Sequence, residues 1–119
     1  MNQASVAELE LGFLDAVRES IDRSRSLARA LYGRDVPYVL LTHVSPFNAR
    51  MIPRVLGVYR EAGSRFTTLA NAERDSIYRA DVEPGRPAGA TSLESRARAR
   101  GVPIPPRQDR AAMLEAACR

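Results

Sequence analysis

His43 is the only histidine in this 119-residue chain and Cys118 the only cysteine. With an ordinary pKa near 6.5, an imidazole exchanges protons at neutral pH, which makes His43 the one side chain suited to general acid or base work. A tetrahedral zinc site needs four His, Cys or acidic ligands, and one histidine with one remote thiol does not supply it. A single cysteine also excludes an intrachain disulfide. Asp15, Glu19 and Asp22 fall at polar positions of a helical pattern and are expected to be solvated rather than catalytic.

The element that leads into His43 is the run Val36-Pro37-Tyr38-Val39-Leu40-Leu41-Thr42-His43, continuously apolar and rich in β-branched and aromatic residues. Such a run predicts a strand buried on both faces, of the kind found in parallel sheets covered by helices, with Pro37 at the tolerated first position. Before it, Val6, Leu9, Phe13, Val17, Ile21, Leu27 and Leu31 recur at three- and four-residue steps, and Glu10, Arg18, Glu19, Asp22, Arg25 and Arg29 fill the other positions. That spacing predicts one amphipathic helix over about 5–32, with Ser5 and Glu8 as a capping box and Gly33 as the stop. After it, Ser45-Pro46 reads as a cap with an N1 proline, opening a second helix with Phe47, Met51, Val55 and Tyr59 on one stripe and Gly63 as its end. Pro53 predicts either a later start, near 48–50, or a bend in the first turn. Residues 65–69 read as a second short strand and 70–74 as a short helix.

From Val82 onward five of the eight prolines fall within 38 residues that hold few large apolar side chains, so 82–119 is expected to be a largely irregular tail. Short helices over 92–100, stopped by Gly101, and over 111–117 are expected there without firm docking. The order helix, buried strand, helix, strand is an α/β pattern, in which sites collect at the carboxyl ends of strands, where His43 lies.

All 18 basic residues are arginine, and the net charge is +4. Residues 1–35 carry −1, 36–81 carry +2 and 82–119 carry +3, so no segment is a basic block. Phosphate-backbone binding rests on clustered cations, and nucleic acid is not an expected partner. No window approaches the ~18 apolar residues of a membrane span, and Met1 to Glu10 lack a basic and an apolar signal region, which predicts a cytoplasmic chain as written.

The stretch from Gly33 to His43, then Asn48, Arg60-Glu61-Ala62-Gly63, Arg65-Phe66-Thr67-Thr68-Leu69-Ala70-Asn71-Ala72 and Asp75-Ser76-Ile77-Tyr78, resembles the C-terminal part of a polysaccharide deacetylase, a carbohydrate esterase family with the NodB-type homology domain. The tail, with Gly85 to Gly89 and Gly101-Val102-Pro103-Ile104-Pro105-Pro106, is similar to the endings of one bacterial branch. The resemblance covers about residues 8–106.

It implies an α/β fold, the C-terminal fragment of a distorted (β/α) barrel, with 1–81 as the partial barrel segment and Met1 as an internal start. It implies metal-dependent hydrolysis of acetyl groups from a carbohydrate polymer, with acetylated polysaccharide or oligosaccharide as partner of the complete enzyme. The family's last motif, a strand ending Leu-x-His, falls on Leu41 and His43. His43 would be the general acid to the leaving amine, and Leu41 would line the acetyl pocket. Val44 departs from the polar residue often found next. The family's catalytic aspartate and its Asp-His-His triad for a zinc- or cobalt-type ion lie upstream of the matched region, so no cofactor is expected in this chain, and the chain alone is expected to be inactive and to self-associate. The alternative is a non-catalytic interaction module that docks a partner through the amphipathic helix.

Overall fold

The computed structural model describes residues 3–79 and 92–117. The 82–91 stretch of the expected tail, Cys118 and Met1 lie outside them. Six helices follow one another: α1 (Gln3–Tyr32), α2 (Pro46–Glu61), α3 (Leu69–Ala72), α4 (Ser76–Arg79), α5 (Leu93–Ala99) and α6 (Ala111–Ala117). No strand occurs among the described residues.

This corrects the α/β expectation and the distorted (β/α) barrel fragment with it. A strand exists only through its neighbours' hydrogen bonds. Residues 36–44 take part in no backbone–backbone hydrogen bond among the described residues. The run read as a strand buried on both faces instead leaves Val39 and Leu40 about half exposed, Leu41 84% exposed and Val44 fully exposed. Of residues 65–69, the second expected strand, 65–68 are likewise non-regular and Leu69 opens α3. The apolar composition was correctly read, but composition does not supply a partner strand.

Two compact units form, both drawing on α1. Among the described residues the first takes in 3–21, 42–64 and 106–117. Its core joins Leu14 and Ile21 of α1 to Met51, Val55 and Val58 of α2, flanked by Phe13, Val17, Tyr59 and Ala62. Phe13 meets Phe47 edge to face at 5.2 Å between ring centroids. Phe13, Val17 and Ile21 of the expected stripe face this core, joined by Leu14, and α6 also lies against α1. A Cβ placed on Gly12 would come within 2.6 Å of Met113 Cε, so the bare glycine makes room for α6.

The buried face of α1 also takes in Glu10, which is 7% exposed. Its Oε2 accepts from Arg54 Nη1 at 2.8 Å. Its Oε1 lies 2.9 Å from Arg50 Nη2, outside hydrogen-bond alignment, and is held by charge. Arg50 and Arg54, four apart on α2, reach the same carboxylate from one helix face. Glu19, expected to be solvated, accepts from the backbone N–H of Gln108 at 2.6 Å and from Arg110, tying the segment before α6 to α1.

α2 begins at Pro46 with Ser45 as N-cap and continues through Pro53 to Glu61, so the helix does not start late. Pro53 removes the donor to the Ala49 carbonyl, and both residues are exposed, which leaves that carbonyl to water. Gly63, at φ +81°, ends the helix with the N–H of Ser64 bonded to the Tyr59 carbonyl, a Schellman closure.

The second unit takes in 22–41, 65–79 and 92–105 among the described residues. Ala28, Val36 and Ile77 form its core, with Tyr32, Tyr78 and Leu93 packed on it. α5 docks more firmly than its composition predicts, because arginine does what large apolar side chains would. Arg96 Nη1 donates to Tyr32 Oη at 2.6 Å and to the Ile77 carbonyl at 2.9 Å. Arg100 donates to the Leu31 carbonyl at the end of α1 at 3.2 Å and lies over the Tyr32 ring, where a cation also favours the helix's negative end. Arg23 Nε pairs with Glu94 at 3.0 Å. Arg34 and Asp75 form a two-pronged pair at 2.7 and 2.8 Å.

Met51 is fully buried at the α1–α2 contact. Met51→Ala should destabilise the chain by about 2–5 kcal/mol in urea unfolding, from lost transfer energy plus the cavity left behind. Val44→Ala, a fully exposed position, should stay within about 0.5 kcal/mol of the parent.

Candidate functional site

His43 stands in the connection between α1 and α2, two residues before the Ser45 cap. The extended backbone of Ser45 (φ −154°, ψ 157°) turns its Oγ to accept the backbone N–H of Asn48 at 3.1 Å. The Asn48 side chain reaches back in turn, and its Nδ2 donates to the His43 carbonyl at 2.6 Å. The imidazole itself is exposed.

Leu41, the other residue singled out by the sequence, is exposed as well. It lies two residues from His43 along the same connection.

The connection is tied where it leaves α1. Gly33, at φ +69°, carries the chain out of the helix, its N–H bonded to the Arg29 carbonyl. Tyr38 Oη donates to Asp35 Oδ1 at 2.9 Å, and Tyr78 Oη donates to the Pro37 carbonyl. Partial burial, then the Asp35 carboxylate as its acceptor, push the Tyr38 phenol up to about 12. The same hydrogen bond, with Arg29 close by, holds the Asp35 carboxyl below its usual range.

Among the described residues no three of His, Cys, Asp and Glu gather where they could hold a metal ion. No helix of the described residues is long and apolar enough to cross a membrane. Sequence reasoning missed Asn48 as a partner of His43, although the signal was present: an amide at the third helical position after a Ser-Pro cap is placed to reach back over the helix start. The three-residue spacing of Asp35 and Tyr38 was the cue to their hydrogen bond.

Comparison with family models, curated proteins and solved structures returns no match for this chain.

A phenol whose pKa is raised on folding contributes stability that is present below its unfolded value near 10 and is lost as pH rises toward 12. The 295 nm absorbance titration of the parent minus that of Tyr38→Phe should therefore show its transition near 12, and a difference transition near 10 would contradict the Tyr38–Asp35 pairing.

Proposed function

We propose that this chain provides the C-terminal catalytic segment of a polysaccharide deacetylase, a hydrolase that removes acetyl groups from a carbohydrate polymer. The resemblance of residues 33–78 motivates the reading. The observation that carries it is the exposed His43 imidazole, set just ahead of a capped helix with its own carbonyl fixed by Asn48.

In this reading His43 acts as a general acid. Protonated, it delivers its proton to the sugar nitrogen as the carbon–nitrogen bond of the acetamide breaks, so the amine leaves neutral. Leu41 is the residue that the resemblance assigns to the acetyl methyl group.

The family's divalent metal does not fit the residues present: one histidine, with no group of three ligating side chains among those described, does not hold such an ion. The ion, the catalytic base and most sugar contacts thus belong to a second polypeptide segment, and the chain alone has no deacetylase activity. Self-association through the exposed Leu40, Leu41 and Val44 belongs to the same reading. The rival reading, a binding module that docks through α1, finds Leu14, Ile21, Leu27 and Ala28 of that helix already packed inside the chain.

The test is complementation. A deacetylase cut before its own Leu-x-His motif is joined to this chain, and acetate release from chito-oligosaccharide or acetylated xylan is measured with zinc or cobalt present. Activity should appear only in the joined protein, and His43→Ala should lower it by about 10²–10⁴. An inactive joined protein, or one indifferent to His43→Ala, would refute the reading.

A further inference from the structure

The helix-capping pair Ser45 and Asn48 does more than begin α2. We propose that Asn48 is the positioning residue for His43, holding the histidine's backbone so that its imidazole is presented from one fixed point; the catalytic part of this inference rests on the reading of His43 as a general acid.

Four of the first backbone N–H groups of a helix lack helical acceptors, and a side chain at the third position usually turns back to serve the cap residue's own N–H. Asn48 does otherwise. Its backbone N–H is already satisfied by Ser45 Oγ at 3.1 Å, while the N–H of Ala49 bonds to the Ser45 carbonyl at 2.9 Å. The side-chain amide reaches past the cap instead, and its Nδ2 donates to the carbonyl of His43 at 2.6 Å. Only the NH₂ end of the amide can pair with a carbonyl oxygen, so the contact fixes which way the amide faces.

The bond is the one hydrogen bond to the His43 backbone among the described residues, and its neighbours Thr42 and Val44 have none. α2 itself is anchored by Met51 and by the pairing of Arg50 and Arg54 with Glu10. Asn48 therefore transmits a fixed frame to a segment that has no secondary structure of its own. A proton donor displaced by about 1 Å loses much of its advantage, and a single hydrogen bond at the backbone of the acid limits that displacement.

NMR of the full chain reads this directly, because the only histidine gives unambiguous signals. The backbone order parameter of His43 should be near ~0.85 in the parent and fall below ~0.6 in both Asn48→Ala and Asn48→Asp, since aspartate keeps the backbone cap but has no donor for the carbonyl. Ser45→Ala removes the cap and spares the amide–carbonyl bond, so His43 should stay ordered in that variant. Unchanged order in both Asn48 variants, or an equal loss in Ser45→Ala, would overturn the assignment. In the joined deacetylase, Asn48→Asp should lower kcat by about tenfold to a hundredfold with KM unchanged, and an equal rise in KM would also count against it. The NMR result stands whether or not the joined protein is active, so failure of the positioning role and failure of the deacetylase reading are distinguishable.

Discussion

A carboxylate buried beneath two arginines ties α2 to α1 beside their shared apolar core. Glu10 cannot lose Arg54 and Arg50 without leaving a charge in a nearly dry place, which costs several kcal/mol. Sliding α2 by one helical turn would do this, and it would also pull Met51 out of the contact with Leu14 and Ile21. Apolar packing supplies attraction without direction, and the pairing of Glu10 with Arg50 and Arg54 adds a directional tie in this register. With α2 fixed, its first turn is fixed, and with it Ser45, Asn48 and the backbone of His43.

The other unit solves a small-core problem differently. Ala28, Val36 and Ile77 bury little area between them, yet α5 is held because Arg23, Arg96 and Arg100 reach polar groups that the helix ends and loops leave open. Between them the guanidinium groups place donors on carbonyls, a hydroxyl and a carboxylate. Asp75 belongs to the same pattern. Its hydrogen bonds from Arg34 lower its pKa, so its contribution to stability is present above the ordinary carboxylate range and is lost as pH falls through its own lowered value.

The helices were legible where local rules decide them, except at the start of α1, where Gln3 and Ala4 are already helical ahead of the expected Ser5 cap. Ser45-Pro46 marked the start of α2, and Gly33, Gly63 and Gly101 marked helix ends because all three take positive φ, at 69°, 81° and 68°. The phase of α1 was less legible, since the buried arc depends on how many partners cover it. Two of them, α2 and α6, draw in Glu10, Gly12 and Leu14. The reading of 36–43 as a strand failed because periodicity reports what a side chain tolerates, whereas a strand is a relation between two segments. His43 and Leu41 were singled out by type and motif, and their exposure could not be read from either. The Asn48–His43 bond lay within reach of cap chemistry.

Amide hydrogen exchange resolved by residue tests the account at its centre, the claim that a helical frame carries an unpaired segment ending in His43. Residues 38–42 should exchange close to their unstructured rates, while Met51 to Val58 on α2 and Leu27 and Ala28 on α1 should open only with the greater part of the stability of the chain. Protection over 38–42 equal to that of α2 would show a hydrogen-bonded strand there and would contradict the account.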